Sequence, residues 1–439
     1  MNIQSFFKSI IYFLILSGFT FFIWINQLDF IGMSIFALVS FFILIFVKNS
    51  VHVLPFFFNM MFMISQTDWS LESIPIYLYV LPLLLIVGFI IHFFRFERNR
   101  MVGQLTLPLL LMFLAMVLSI FNTEIFNLNY VFYLVIGLFY LFIYFFFLKT
   151  LHGDHLKYLI RLFFVIGILI AGQVFFYYMQ FDDIALALQS DRVDLGWGIS
   201  NFVATYLIIC ISAATYYVKH KPYKIISSII IAAEILMLMF TLSRGGFLAF
   251  VALSPLLLIY LYHGQKHKFI MTIYLLIIIN LLVILFVLRT DYFMPLFDRF
   301  KALDFTEGNG RVDLWIQAYH KFKQNPLFGA GLFARVEGDY FGFYHNTFMH
   351  TLASLGLLGL VSLLWQILVV VKVFLRQMNQ EKTILFLALL GANLHGLVDN
   401  VYYMPQFMII FFVLISAVEI VEHNKEIKPR IWRPAYAKK

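Results

Sequence analysis

TLSRGGFLAF, residues 241–250, places an arginine and two glycines between apolar runs that are each long enough to cross a bilayer. No polar loop lies beside Arg244 to carry it into water. The segment therefore reads as a tight turn between two membrane helices, with the guanidinium at or just below an interface. The rest of the chain fits that reading. Of its 439 residues 62% are hydrophobic, 19% aromatic and only 12% charged, and the mean hydropathy is +0.91, usage that excludes an ordinary soluble domain. Cys210, the single cysteine, sits in an apolar run and can form no intrachain disulfide, so it is expected to be an inert core residue. Lys8 precedes a long apolar stretch without a small-x-small cleavage site, which predicts an uncleaved first span.

A hydrocarbon core of about 30 Å asks for about 20 apolar residues per helix. Such runs fall at about 9–25, 31–47, 51–65, 74–94, 103–121, 128–148, 158–180, 197–217, 223–241, 245–262, 269–288, 346–374, 383–401 and 405–421, fourteen in all, with the third the shortest. The expected fold is an all-α polytopic membrane protein of about 14 spans, within a range of 12–14. Of the 31 basic residues, 22 gather in alternate connections and at the two ends, and the intervening short connections hold none. That alternation predicts cytoplasmic termini, and it makes the net charge of +8 a membrane-orientation signal with no bearing on nucleic acid. Three parts are expected: N-terminal helices at 1–190, a catalytic membrane core at 191–421 containing the extracytoplasmic loop 289–344, and a basic cytoplasmic tail at 422–439.

Nine basic residues fall on the opposite side: Arg192, Arg244, Arg289, Arg299, Lys301, Arg311, Lys321, Lys323 and Arg335. Seven lie in the loop 289–344 and are matched there by seven acids, so anion binding must come from individually placed arginines. Within the loop, GRVDLWIQAYHKFK (310–323) puts Val312, Trp315, Ile316 and Tyr319 on one helical face, with Asn309 a plausible cap and Arg311 in the first turn. For Arg244 two readings stand. It snorkels to lipid phosphate, or its planar fork beside paired glycines holds a phosphate or diphosphate. Arg192 and Asn201 bracket the outer start of the eighth span, Tyr344, His345 and Asn346 open the twelfth, and His395, Asp399 and Asn400 finish the thirteenth, with His395 and Asp399 four apart on one helical face. Each histidine alone is as well explained by a cap or a satisfied core hydrogen bond, so their joint placement at one level carries the weight. Glu234, about 15 Å below Arg244, is too deep to pair with it and is expected as a protonated acid bonded across helices. Asp182 and Asp183 lack a third nearby acid, and neither metal nor cofactor is expected; nucleotide-binding loops and zinc-protease histidine spacing are absent.

From about 190 to 402 the order of RVDLGWGISNFVATYL (192–207), SRGGFLAF (243–250), GRVDLWIQAYHKFKQNPLFGAGLF (310–333), HNTFMHTLASLGLLG (345–359) and HGLVDN (395–400) resembles the O-antigen ligase and polymerase family. These are bacterial membrane glycosyltransferases acting on polyprenyl-diphosphate-linked glycans. The resemblance implies that Arg192, Arg244 and Arg311 face the diphosphate and glycan, and that His345 is the catalytic histidine. Residue types support the same chemistry, since arginines stabilise charge growing on a leaving diphosphate and histidine accepts a proton near neutrality. The expected catalytic set is His345, Arg244 and Arg311, with Arg192, Asn201, Asn346, His395 and Asp399 binding substrate. Expected partners are an undecaprenyl-diphosphate-linked glycan donor, a glycan acceptor, the bilayer and a chain-length regulator. Polymerisation of a surface polysaccharide is favoured. Transfer to a lipid core, protein or wall polymer is the alternative, and a lipid-linked oligosaccharide flippase using Glu234 is the alternative of a different class.

Overall fold

The computed structural model describes residues 6–65, 77–99, 101–123, 128–190, 192–220, 224–301, 310–332, 334–337 and 340–431. Its helices are α1 (Ile10–Ile25), α2 (Asp29–Phe46), α3 (Leu54–Met61), α4 (Tyr77–Arg95), α5 (Thr106–Ser119), α6 (Leu128–Thr150), α7 (Leu156–Met179), α8 (Ile184–Ser190), α9 (Ser200–Lys219), α10 (Lys224–Phe240), α11 (Arg244–Tyr262), α12 (Lys268–Leu288), α13 (Thr290–Lys301), α14 (Arg311–Gln324), α15 (Thr347–Leu375), α16 (Gln380–His395) and α17 (Pro405–Ile431). A two-stranded hairpin, β1 (Val336–Glu337) and β2 (Tyr340–Phe341), precedes α15. Each expected apolar stretch holds a helix. Among the described residues, eight helices (α2, α6, α7, α9, α11, α12, α15 and α17, some over part of their length) are long and apolar enough to cross a membrane by length and composition. The protein is a polytopic helical membrane protein, with the short hairpin as its only strands among the described residues.

Side-chain contacts sort the connections into two levels. At one, Lys48 meets Glu97 at 2.9 Å and Asn49 donates to His152 O at 2.9 Å, while Lys219 donates to Tyr260 O and Lys382 to Glu422. At the other, Ser65 binds Asp29, Asn122 donates to Gly329 O, and Asn201 reaches Asp399. The short third stretch obeys this rule by mixing conformations. A 3-10 turn (Ser50–Val53) and α3 are followed by a turn at Phe62 and by irregular chain at 63–65, where Ser65 binds Asp29. That returns the chain to the level of Asp29.

Helix α9 is the axis of the core. Eighteen of its twenty residues are buried, against α7, α10, α11 and α16. Peripheral α12 buries only Met271 and Ile278. Where the core approaches the polar end, α15 departs from ideal helix: Gly356 has φ +64°, and the segment 326–331 lies across the break. Ala330 N and Gly331 N donate to the carbonyls of Ala353 and Ser354 at 2.9 and 3.0 Å, and Leu357 N donates to Pro326 O at 2.9 Å, so backbone groups freed by the break are satisfied. A Cβ on Gly356 would lie 2.6 Å from Gly329 N and from the Leu327 carbonyl. Gly356→Ala is therefore expected to cost at least about 1–2 kcal/mol from backbone conformation alone, with the clash added, and to lower the thermal unfolding midpoint in detergent. An unchanged midpoint would show that the break is not structural.

Candidate functional site

The polar end carries a line of polar contacts assembled from four segments. Ser243, the N-cap of α11, accepts from Gly246 N at 3.1 Å, an arrangement expected of serine before an apolar helix. Its hydroxyl donates to Asn201 Oδ1 at 2.7 Å. Asn201 in turn donates through Nδ2 to Asp399 Oδ2. Asp399 is 3% exposed, accepts from Asn400 N at 2.8 Å, and presents Oδ1 to His345 Nδ1 at 3.4 Å. The ring is held from its Nδ1 side by a buried carboxylate, which leaves Nε2 as the nitrogen that can take a proton.

His345 owes its position to its neighbours. Its backbone is left-handed, φ +46°, a conformation that non-glycine residues adopt at a cost of order 1–3 kcal/mol and keep only when surroundings enforce it. Here Tyr344 O accepts from Trp315 Nε1 at 3.1 Å. Asn346 caps α15 by accepting from Phe348 N and Met349 N, both at 2.9 Å, while its Nδ2 donates to Leu397 O at 2.7 Å. Thr347 then joins α15 to the end of α16, N to Gly396 O at 2.9 Å and Oγ1 to Asp399 O at 3.1 Å. Asn346 is thus a positioning residue as well as a polar group at the site.

On the Ser243 side stand the arginines. Arg244 Nη1 donates to Arg299 O at 3.0 Å and Arg299 Nη1 to Leu242 O at 3.4 Å, an exchange between α11 and α13. The charges of Arg192 and Arg311 act on Arg244. Burial, followed by Arg192 and Arg244, pulls Arg299 below the usual guanidinium range. For Arg311, burial and Arg192 lower it while Asp399 opposes the shift. Guanidinium groups stay charged in proteins, so four positive charges converge here with a single buried carboxylate among them. A group carrying two or more negative charges answers that imbalance. Arg299 had seemed an ordinary residue of a charge-balanced loop; the exchange with Arg244 puts it in the cluster.

Several expectations change in detail. Asn309 lies outside the described residues, and the N-cap position of α14 is Gly310, φ +75°. The packed face of α14 is not the one that apolar spacing indicated: Ile316 and Tyr319 are 50% and 46% exposed, while Ala318 is fully buried. The bond from Trp315 to Tyr344 O and the small Ala318 side chain, packed with Ala353, rotate the helix so that Arg311 acts on Asp399 and His395. The glycines after Arg244 face protein, with a Cβ on Gly245 meeting Val398 at 2.7 Å and His395 at 3.2 Å, and one on Gly246 meeting Ala204 at 2.5 Å. They admit neighbouring segments to close approach. His395 and Asp399 do not share a helical face, because α16 ends at His395. His395 is fully buried and bonds Thr205 Oγ1 at 2.8 Å, so it underlies the site without lining it. Arg192 is exposed at its edge. The cross-helix bond expected for Glu234 is absent among the described residues; both its oxygens are buried beside Gly167 without a hydrogen-bond partner.

The fold and site thus define a multi-pass helical membrane protein with a histidine–carboxylate pair and an arginine cluster at one end of the bundle. Residues 227–364 match the family model described as O-antigen ligase, so the chain carries that domain over this span, as its sequence motifs indicated. The match takes in Arg244, Arg299, Arg311 and His345, and leaves Arg192, Asn201, His395 and Asp399 outside it. No curated protein matches the chain.

Proposed function

We propose that the protein is a membrane glycosyltransferase that moves a glycan from undecaprenyl diphosphate to an acceptor sugar hydroxyl at the outer face of the cytoplasmic membrane. The carrying observation is the polar line Ser243–Asn201–Asp399–His345, hydrogen-bonded from Ser243 to Asp399 and completed by the 3.4 Å approach of His345 Nδ1 to Asp399 Oδ1, with the arginines at one end and the histidine at the other. In this reading Nε2 of His345 takes the acceptor hydroxyl proton while Asp399 holds the ring and supports its positive charge. The acceptor oxygen attacks the anomeric carbon, the bond from that carbon to the diphosphate oxygen breaks, and the electron pair leaves with the diphosphate. Arg244 and Arg311 stabilise that growing charge, and Arg192 and Arg299 add to the field. The activated donor supplies the driving force, so the transfer uses no nucleotide. Residues 191–421 form the catalytic core in this reading.

Polymerisation, with a second lipid-linked repeat as acceptor, is the form we favour; the description of the matching family model favours ligation to a different acceptor. Purified protein in liposomes, given polyprenyl-diphosphate glycan without nucleotide or ion gradient, is expected to make a new glycosidic bond and release polyprenyl diphosphate. Multiples of the repeat mean polymerase. Product only on addition of a distinct acceptor means ligase. Movement of the lipid-linked glycan between leaflets, with no bond formed under any acceptor, would overturn the enzyme reading.

The orientation has its own test. With Cys210 removed, a cysteine at Glu307 is expected to react with an impermeant thiol reagent in intact cells and one at Arg98 only after lysis, following the partition of basic residues. The reverse pattern would put the arginine cluster on the cytoplasmic side and remove the proposed donor from its reach.

A further inference from the structure

Beside the site, α15 and α16 leave a cavity of about 240 Å³ between them, closed on the far side by Tyr402 and Phe411. Thr347 and Leu397 are among its lining residues, with side chains such as Ile367, Val371, Leu390 and Leu394. Among the described residues, no charged one lines it. The few polar groups on its walls are already engaged: Gln366 accepts from Tyr402 OH at 2.8 Å and donates to Ser362 at 3.2 Å, Asn393 donates to Leu389 O at 2.7 Å, and Thr347 is bound to Asp399 O. A cavity with few polar groups, each already making a hydrogen bond, accepts hydrocarbon at little cost. Along α16 it runs from Leu394 to Phe386, about 12 Å at 1.5 Å per residue, which is about two-fifths of the depth of a hydrocarbon core.

We propose that this groove holds the first isoprene units of the donor's polyprenyl chain, a reading that rests on the glycan-transfer function above. The argument is one of distance. In a polyprenyl-diphosphate glycan only the two phosphates separate the anomeric carbon from the hydrocarbon, so the tail begins a few bonds from the reacting centre. An acceptor's lipid, by contrast, is set away from that centre by the acceptor's own sugars. The groove reaches Thr347, two residues from His345, and that threonine is bonded to the main chain of Asp399. A tail entering there leaves its diphosphate beside the buried Asp399 and within the field of Arg311, which acts on that same carboxylate. Arginines thus hold the head, and the α15–α16 groove sets the direction of the chain.

The test is photolabelling of the full-length protein in phosphatidylglycerol nanodiscs with farnesyl diphosphate bearing a diazirine on its second isoprene unit. Label is expected within 363–371 and 386–397, and is expected to be displaced by undecaprenyl diphosphate. Leu394→Trp and Leu390→Trp, which fill the groove from two positions, are each expected to reduce that label at least tenfold. Leu276→Trp, on the lipid-facing side of α12 where Leu276 is 48% exposed, is expected to keep it. Label spread over lipid-facing helices, or displaced equally well by added diacylglycerol, would mean that an ordinary bilayer chain occupies the groove, and the proposal fails. Labelling needs no acceptor, so the two ideas separate. Glycosidic bond formation without groove labelling sinks the groove alone, whereas groove labelling without bond formation supports the groove and sinks the transfer reading.

Discussion

His345→Ala is expected to cut glycan transfer by about 10²–10⁴-fold, the range typical of a lost general base, while leaving the protein folded and the lipid-linked donor bound. The side chain is 40% exposed and approaches Asp399 across 3.4 Å, so truncation removes little packing. It also relieves no backbone strain, because alanine meets the same cost as histidine at φ +46°. The informative pair of measurements is therefore the rate of bond formation and the affinity for donor. A fall in rate with unchanged donor binding supports the assignment. Loss of donor binding in step with rate would make His345 a binding group, and full activity would remove it from the chemistry. Asn346→Ala offers a contrast, since it deletes the α15 cap and the bond to Leu397 O; its loss of transfer is expected to come with reduced thermal stability.

Arg244→Lys is expected to lose transfer by about 10²-fold despite keeping the charge, comparable to removing one preorganised donor from a developing oxyanion. A lysine ammonium cannot both bond to the Arg299 carbonyl, as Nη1 of Arg244 does at 3.0 Å, and offer a planar pair of donors to a phosphate. Arg299→Lys preserves that carbonyl and is expected to cost less than about tenfold, through its own weak bond to Leu242 O and a shift in the shared field. Initial rates against donor concentration decide the matter. If Arg244→Lys matches the wild type, Arg244 serves lipid phosphate at the interface and the diphosphate is held by Arg311 and Arg192 alone.

The helices were legible because a run of apolar residues the length of a bilayer has few alternatives. The level of each polar group followed from counting along those runs. That is why Arg244, Asn201, His345 and Asp399, scattered over two hundred residues, were expected at one end of the bundle before any contact was visible. What periodicity could not supply was rotation and reach. In RVDLWIQAYHKFK the larger apolar side chains suggested one face, yet an indole bond and a single alanine chose another, and the direction of Arg311 depends on that choice. Arg299 was hidden for a different reason: in a loop whose charges cancel, nothing marks one arginine over its neighbours until the fold sets it against Arg244. Ser243 carried a readable cap signal, but its second bond, to Asn201, is a tertiary fact. Glu234 marks the opposite failure, where an expected partner was inferred from cost alone and the packing provides none.

The joint between Gly331 and Ser354 turns residues 331–354 into a closed circuit of main chain, with the small hairpin at one extreme and His345 on the rim. A circuit has a fixed circumference. One residue added between Leu332 and Tyr344 must either enlarge the hairpin or pull His345 out of register with Asp399, whereas residues added within 302–309 lie outside the circuit and leave that distance unaltered. Length tolerance in this loop is therefore expected to differ sharply on the two sides of α14, whatever side chains the added residues bear.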